Sequence, residues 1–221
     1  ASQLGASVAL VERRLMGGDC LNFGCVPSKA LLAAGKSAHN IAGAARFGIT
    51  SAAPGIDQKA VRQHVRDVIA AIAPHDSIER FRALGGNVIL GAARFTGPRE
   101  IQVDGQTIRA RRFVVATGSS PVVPAIPGLD GVPYLTNATL FEYDQPMAHL
   151  IVIGGGPLGV EMSQAHRRLG VAVTLIEKTR LLPKDDPELT QVVHDRLVSE
   201  GVEVMTGIGV EGVAAEGSGA A

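Results

Sequence analysis

Residues 150–177, LIVIGGGPLGVEMSQAHRRLGVAVTLIE, decide the fold of this chain. The stretch begins with a β-branched strand pattern, passes through a glycine-rich turn, continues with helical spacing and ends in a second strand pattern. The turn contains G-x-G-x-x-G at Gly154, Gly156 and Gly159, and Glu177 closes the second strand. A strand before such glycines, a helix after them and an acidic residue at the next strand end are typical of a βαβ dinucleotide-binding unit.

The glycines predict a nucleotide contact because residues without side chains let backbone N–H groups approach a pyrophosphate at a helix N-terminus. A carboxylate at Glu177 can accept hydrogen bonds from ribose hydroxyls and would repel a 2′-phosphate. This favours NADH over NADPH, although Lys178 and Arg180 are nearby cations. Glu161, just inside the helix, suits the positive end of the helix dipole. A purely structural glycine turn in an α/β unit is the alternative interpretation.

An incomplete copy of the same unit stands at the beginning of the chain. Residues 4–12, LGASVALVE, resemble residues 169–177, LGVAVTLIE, and Glu12 closes its strand as Glu177 closes the later one. We interpret this as an internal duplication whose first copy lacks its beginning, and we predict an α/β fold. Helices are predicted at residues 26–45, 56–84 with a division near Pro74, 160–169 and 188–200; strands at 7–12, 88–90, 94–95, 100–103, 106–110 with a hairpin at Asp104-Gly105, 113–116, 150–154, 171–177 and 202–205; and a frayed end at 216–221.

The only two cysteines of the chain, Cys20 and Cys25, lie in the segment GGDCLNFGCVPSK, residues 17–29. In a regular helix, positions five apart are roughly 8 Å from each other and their side chains diverge. A disulfide needs Cα atoms nearer than about 7 Å. A bridge therefore requires an irregular turn, which Asn22 and Gly24 allow. The helix predicted to start just after Cys25 would point its positive end at that thiol and favour the thiolate.

Two other interpretations of the cysteine pair exist. Metal binding would need two further ligands, and His39 and His64 show no ligand spacing. Inert packing is the usual fate of an isolated C-x4-C pair. The six histidines stand in no recognisable acid–base pairing, so none is assigned a role.

The whole string at residues 17–29 closely resembles the active-site segment of the pyridine nucleotide-disulfide oxidoreductases, the class I family of dihydrolipoamide dehydrogenase and mercuric reductase. The resemblance implies that Cys20 exchanges with the substrate and that Cys25 takes electrons from the flavin. It also implies that Gly18 binds the cofactor and that Lys29 sits by the flavin ring. Asp19 departs from the threonine usual in the family, which leaves the substrate open between lipoamide, mercuric ion and another disulfide.

The same resemblance extends over most of the chain. In VVATGSSPVVPAIPGL, residues 114–129, it implies that Ala116, Thr117 and Gly118 touch FAD. It implies that Glu12 binds the adenosine ribose of FAD, and that Glu161 lies near the nicotinamide and the flavin. The expected cofactors are FAD and NAD, with NADP possible.

The fold implied by the resemblance is an α/β, FAD/NAD(P)-binding Rossmann-like fold with two nested, three-layer dinucleotide-binding domains, truncated at both ends. Residues 1–132 are predicted to form an FAD-binding domain without its first strand and glycine-rich loop. Residues 133–221 are predicted to form an NAD(P)-binding domain that is incomplete at its C-terminal end. We expect the full-length protein to be a homodimer, and this chain alone to be colourless and inactive.

Composition restricts the remaining function classes. The chain has 221 residues, 46% of them hydrophobic, with 21 basic and 21 acidic residues, so neither disorder nor an electrostatic pull toward nucleic acid is indicated. No apolar run reaches the roughly 20 residues of a membrane helix, and no signal-peptide pattern opens the sequence. We predict a cytoplasmic enzyme acting on a disulfide or on mercuric ion. The alternatives are a non-catalytic nucleotide-binding fragment and a soft-metal-binding dithiol module.

Overall fold

The computed structural model describes residues 1–216 and 219–220. Seven α-helices are assigned within these residues: α1 Gly18–Asn22, α2 Cys25–Ala42, α3 Gln58–Ile72, α4 Ile78–Ala83, α5 Asn137–Leu140, α6 Pro157–Arg168 and α7 Pro187–Ser199. The strands in the same residues are β1 Val8–Glu12, β2 Gly86–Leu90, β3 Ala93–Gly97, β4 Glu100–Val103, β5 Gln106–Arg109, β6 His149–Ile153, β7 Ala172–Glu177, β8 Glu203–Thr206, β9 Ala215–Glu216 and β10 Gly219–Ala220.

The chain divides into two compact units. The first contains Ala1–Val26 and Asp67–Ser120, and the second contains Pro27–Arg66 and Pro121–Ala221. The helices α2 and α3 therefore contribute residues to both units. The predicted domain boundary between residues 132 and 133 stays a prediction.

The second unit is built on a parallel sheet in the order β6-β7-β8. Helix α6 follows β6 and helix α7 follows β7, so each parallel pair is joined by a helical crossover. The core beneath the sheet is apolar and almost completely buried, with Leu175 at 0% and Leu197 at 1% exposure. This arrangement confirms the strand–helix–strand unit predicted for residues 150–177.

Helices α2 and α3 supply further contacts within the second unit. Gly35 of α2 lies so close to α6 that a Cβ on it would be 3.2 Å from the carbonyl oxygen of Ala165. Gln58, at the start of α3, donates from Nε2 to the carbonyl oxygen of Met147 at 2.9 Å and accepts from the Met147 N–H at 2.9 Å. A side chain that pairs with both backbone groups of one residue positions α3 firmly on the loop before β6.

The first unit contains two small sheets. Strands β1 and β2 pair in parallel, and β3-β4-β5 form an antiparallel meander. The turn between β4 and β5 has positive φ at both central residues, 46° at Asp104 and 84° at Gly105, as a two-residue hairpin requires. This confirms the predicted hairpin at Asp104-Gly105.

The predicted strand at residues 113–116 is wrong. The structure has no strand there, and Val114 and Val115 are 91% and 70% exposed. An apolar, β-branched run becomes a strand only where a neighbouring backbone completes its hydrogen bonds. Among the described residues no strand pairs with this segment. Phe113, at its start, packs edge-on against Phe95 with ring centroids 5.0 Å apart.

Other differences from the predicted elements are local. The helix predicted over residues 56–84 is divided, because a 3-10 turn at Ala73–Asp76 contains Pro74 and the Ser77 hydroxyl then caps α4 by accepting from Arg80 N–H at 3.2 Å. The glycine-rich turn before Cys25 contains the helix α1, and α5 was not predicted. The predicted frayed end at 216–221 lies partly outside the described residues, since 217, 218 and 221 are not described.

Within residues 1–216 and 219–220, no helix is both long and apolar enough to cross a membrane.

One histidine is part of the core of the second unit. His166 on α6 is 9% exposed, and its Nδ1–H donates to the carbonyl oxygen of Met162 at 2.9 Å. Burial lowers the pKa of His166 below its ordinary value of 6.5, while the backbone hydrogen bond to Met162 acts in the opposite direction. The folded protein therefore keeps this side chain neutral.

We expect the neutral His166 to make the fold sensitive to acid. As the pH falls through 6.5, His166 binds a proton in the unfolded chain but stays neutral in the folded chain. The free energy of unfolding therefore decreases. His166→Gln removes the titrating group. Between pH 7.5 and pH 5.5 its free energy of unfolding should therefore decrease less than that of the unmodified chain. Urea unfolding at both pH values measures the difference, with the exposed His64→Gln as control. Identical losses in the unmodified chain and His166→Gln would contradict the prediction.

Candidate functional site

The two cysteines meet at a break between two helices. Cys20 lies in α1, which ends at Asn22, and Phe23 then leaves the helical region with φ at −135° before α2 begins at Cys25. Both residues are exposed and in the thiol form, and their side chains form a hydrogen bond with each other. The irregular turn needed for such an approach is thus present. The predicted disulfide stays a prediction, since the pair is in the dithiol form.

The contact with Cys25 raises the pKa of Cys20. The hydrogen bond with the Cys25 side chain is the largest cause that raises the pKa of Cys20, followed by burial and the charge of Cys25. The backbone of Cys25 acts in the opposite direction, and the Asp76 carboxylate adds a smaller rise. Cys20 therefore retains its proton to a higher pH than an ordinary thiol does.

Local contacts hold α1 in place although it has only five residues. The Asn22 side chain donates from Nδ2 to the carbonyl oxygens of Met16 at 3.1 Å and Gly18 at 2.8 Å. Leu21 is buried at 3% exposure, and the Phe23 N–H donates to the Asp19 carbonyl oxygen at 2.9 Å. Because isolated helices this short are unstable in water, these contacts determine the position of Cys20.

The segment predicted to touch FAD runs past the first turn of α1. The Oδ2 atom of Asp19 accepts a hydrogen bond from the backbone N–H of Ser119 at 2.8 Å. Gly118 has φ at +70°, and a Cβ there would be 2.7 Å from the same carboxylate oxygen, so only glycine suits this position. Ala116, Thr117 and Gly118 are exposed. Their backbone groups are thus accessible to a ligand, which fits the predicted FAD contact.

Two further predicted FAD-contacting residues, Glu12 and Gly18, also belong to the first unit. Glu12 ends β1, and its Oε1 accepts the Arg14 N–H at 2.7 Å. Gly18 opens α1 with φ at +57°, and no atom lies within 4 Å of the position of a Cβ on it.

Lys29 and Glu161 are brought together by α2 and α6. The Nζ atom of Lys29 donates to Oε1 of Glu161 at 2.6 Å, and their side chains are 60% and 29% exposed. Such partly exposed ion pairs contribute about 0–1 kcal/mol to the free energy of unfolding, so this pair stabilises the fold only weakly. The sequence predicted each residue near the flavin separately, but contained no signal that they are ion-pair partners.

The carboxylate at the end of β7 closes the glycine-rich turn. Oε2 of Glu177 accepts the Gly155 N–H at 2.8 Å, and Oε1 accepts the Thr179 N–H and hydroxyl, each at 2.8 Å. Burial by itself would raise the pKa of Glu177, but the hydrogen bonds from Gly155 and Thr179 outweigh it, and the pKa is lowered. The sequence indicated Glu177 but missed Gly155, whose N–H is the donor.

The glycines of the turn have different surroundings. A Cβ on Gly159 would overlap with the carbonyl oxygen of Gly154, so this glycine allows α6 to pack against the end of β6. Gly156 caps α6 with φ at −73°, and no atom lies within 4 Å of where its Cβ would be. The first N–H groups of any helix have no partner inside the helix. Open space beside these donors fits the pyrophosphate of a dinucleotide.

Arg180 has its donors committed to the loop that follows β7. Its guanidinium donates to the carbonyl oxygens of Pro183 and Asp185, each at 2.9 Å, and to the Thr190 hydroxyl at 3.2 Å. The sequence left Arg180 as a cation that could attract a 2′-phosphate. The structure instead uses it to brace the loop, while Lys178 is exposed. Elsewhere in the chain, no cluster of three or more His, Cys, Asp or Glu side chains placed to hold a metal ion occurs among the described residues.

Comparison with known proteins gives a consistent result. The profile described as pyridine nucleotide-disulphide oxidoreductase matches residues 1–221. The chain is 36% identical to a mercuric reductase of Bacillus cereus over 218 residues, covering 98% of the chain and 34% of that protein. It is 39% identical to a dihydrolipoyl dehydrogenase of Thermus scotoductus over 215 residues, covering 93% of the chain and 44% of that protein.

A solved structure agrees with these sequence matches. The Cu(II) complex of the HOCl-induced flavoprotein disulfide reductase RclA from Escherichia coli superposes with a TM-score of 0.81 at 25% identity, covering 98% of this chain and 47% of that one. The chain thus spans about a third to a half of the length of these relatives. Its fold is the α/β FAD/NAD-binding Rossmann-like fold, partial relative to the full-length relatives. Because this family's profile matches the chain over its whole length, the chain belongs to the pyridine nucleotide-disulphide oxidoreductase family.

Proposed function

We propose that this chain contains the redox centre of an FAD-dependent oxidoreductase that moves electrons between NAD(P)H and a substrate through the Cys20–Cys25 pair. The contact between the two thiols at the break between α1 and α2 is the observation that supports this most strongly. Two exposed thiols five positions apart would diverge in a continuous helix. Their contact therefore suits a pair that opens and closes a disulfide.

The protein residues divide the work as follows. Cys20 exchanges with the substrate, and Cys25 is the thiol on the flavin side. In the reducing direction both thiols lose a proton and together two electrons, the Cys20–Cys25 bond forms, and a substrate disulfide becomes two thiols. Exchange requires a thiolate, so the raised pKa of Cys20 makes removal of its proton a part of the reaction.

The cofactors would be held by the residues that the sequence indicated. Glu12, Gly18, Lys29 and the segment Ala116, Thr117 and Gly118 would bind FAD. Gly154, Gly156, Gly159 and Glu177 would bind the dinucleotide, with Glu161 near the nicotinamide. When bound, FAD would supply the two-electron chemistry that connects NAD(P)H with the dithiol. Residues 1–132 and 133–221 would be the FAD-binding and NAD(P)-binding domains.

The substrate is proposed from the relatives. Their names, mercuric reductase and dihydrolipoyl dehydrogenase, point to mercuric ion or a lipoamide-type disulfide. Both are species that thiolates attack or bind, since soft metal ions prefer sulfur ligands. We further propose that the whole protein is a homodimer and that it works in the cytoplasm, a compartment in which dithiols are kept reduced.

The first test of this function concerns the cysteine pair. We expect the oxidised chain to contain a Cys20–Cys25 disulfide that dithiothreitol opens, because the thiols are already in contact. Alkylation followed by mass spectrometry should detect two modified cysteines only after reduction. Cys20→Ser and Cys25→Ser each leave one thiol and should be alkylated with or without reductant. Two alkylated cysteines in an unreduced, air-oxidised sample would refute the proposal.

A pair of glycine variants tests the nucleotide site. Gly159→Ala should lower the free energy of unfolding by about 1–3 kcal/mol, because its Cβ overlaps the Gly154 carbonyl oxygen. Gly156→Ala should change it by no more than about 0.5 kcal/mol, because its Cβ enters open space. The methyl group would nevertheless obstruct the phosphates, so NADH affinity measured by calorimetry should fall. Unchanged NADH binding by Gly156→Ala would argue against this location.

The nicotinamide preference is expected to depend on Glu177. We expect NADH to bind at least about tenfold more tightly than NADPH, about 1.4 kcal/mol, because the carboxylate repels a 2′-phosphate and Arg180 is committed elsewhere. Glu177→Gln keeps an amide oxygen for Gly155 but removes the charge, and should reduce the preference. Titration of both nucleotides decides the matter. Tighter binding of NADPH by the unmodified chain would show that the argument is wrong.

A further inference from the structure

Asp19 connects the cysteine pair to a distant part of the first unit. It precedes Cys20 directly, and its Oδ2 holds the backbone N–H of Ser119, 100 positions along the chain, at 2.8 Å. A carboxylate that accepts a backbone N–H forms one of the stronger hydrogen bonds in proteins. The bond therefore anchors the helix that contains Cys20 to the segment that contains Gly118 and Ser119.

The surroundings of this bond show that the two partners are closely fitted. Gly118 lies directly against the carboxylate, since a Cβ on it would be 2.7 Å from Oδ2 of Asp19. Asp19 is also in the first turn of α1, where an acidic side chain is favourable to the helix dipole. Its own carbonyl oxygen accepts the Phe23 N–H at 2.9 Å, which closes α1 just before the break. Asp19 thus contacts the distant Ser119 through its side chain and the end of α1 through its backbone.

The other described hydrogen bonds of α1 are local by comparison. The Asn22 side chain reaches the carbonyl oxygens of Met16 and Gly18, which are six and four positions away. Such bonds shape the helix but do not fix it to the rest of the unit. A five-residue helix has little stability of its own, so its long-range anchor influences how well Cys20 is positioned.

We propose that Asp19 is a positioning residue for the redox couple, and that its bond to Ser119 holds α1 in the arrangement from which Cys20 and Cys25 close a disulfide. This inference rests on the proposed function. The two thiols already meet in the dithiol form, so little reorganisation precedes bond formation. Positioning both groups in advance raises their effective concentration and favours the closed form.

The chemical step is a thiol–disulfide exchange between the cysteine pair and added dithiothreitol. Cys20 and Cys25 each lose a proton and together lose two electrons as the S–S bond forms. Oxidised dithiothreitol accepts the two electrons and two protons and becomes the open dithiol. Without the anchor α1 samples other positions, the effective concentration of the thiols falls, and the disulfide becomes easier to reduce.

The test uses four forms of the 221-residue chain: unmodified, Asp19→Ala, Asp19→Asn and Ser119→Ala. Each is equilibrated with mixtures of reduced and oxidised dithiothreitol, and the disulfide fraction is measured by alkylation and mass spectrometry. Hydrogen exchange of the Ser119 amide, followed by NMR, reports the anchor directly. Far-ultraviolet circular dichroism verifies folding, and the Asn variant decides the test if Asp19→Ala does not fold.

We expect Asp19→Ala to lower the equilibrium constant for disulfide formation about tenfold, which is about 30 mV, and to speed exchange of the Ser119 amide about tenfold. Asp19→Asn keeps a neutral acceptor oxygen and should lie between Asp19→Ala and the unmodified chain in both measurements. Ser119→Ala keeps the backbone N–H and should match the unmodified chain.

Faster Ser119 exchange with an unchanged equilibrium constant in Asp19→Ala would overturn the proposal, because the anchor would then be irrelevant to the couple. An equal loss in the Ala and Asn variants with slow Ser119 exchange in Asn would also overturn it, since charge alone would explain the effect. Absence of any reversible disulfide in the unmodified chain would refute the proposed function itself, and the role of Asp19 with it.

Discussion

The close approach of two backbone segments at Gly154 and Gly159 is the constraint on which the second unit depends. Because Gly159 has no side chain, the first turn of α6 can lie against the carbonyl oxygen that ends the β6 segment. This contact brings the N-terminus of α6 to the edge where β7 ends, and Glu177 can then reach the Gly155 N–H. The turn, the helix end and the carboxylate form one structure, so a change at any of them alters the geometry offered to a ligand.

The same regions were the easiest to predict from the sequence. Strands and helices have different periods of apolar residues along the sequence, and glycines mark the turns between them. These local features predicted the strand, glycine turn, helix and strand of residues 150–177, and the structure confirms them. The break that lets the cysteines meet was predicted from the distance that a disulfide requires. What could not be predicted depends on partners remote in sequence, such as the Lys29–Glu161 pair and the hydrogen bond of Asp19 to Ser119. The error at residues 113–116 has the same origin, because a β-branched run cannot reveal whether a neighbouring strand exists.

Two charged residues near the glycine-rich turn, Glu177 and Arg180, have different structural roles. Glu177 and Arg180 are three positions apart, and both sequence arguments about the 2′-phosphate involved them. In the structure the carboxylate is oriented by backbone and hydroxyl donors at the turn, whereas the guanidinium donates to carbonyl oxygens of its own loop. A guanidinium that already donates hydrogen bonds to its own loop contributes little to binding a 2′-phosphate, since those hydrogen bonds would have to break first.

The exposed segment that follows Phe113 has a consequence for the chain in solution. Val114 and Val115 are largely exposed, and no strand among the described residues pairs with their backbone. An apolar stretch with unpaired N–H and carbonyl groups is a template for strand addition, and it accepts a strand from any source that matches it. Association through such an edge grows with protein concentration. We therefore expect the degree of association of this chain to depend on its concentration in solution.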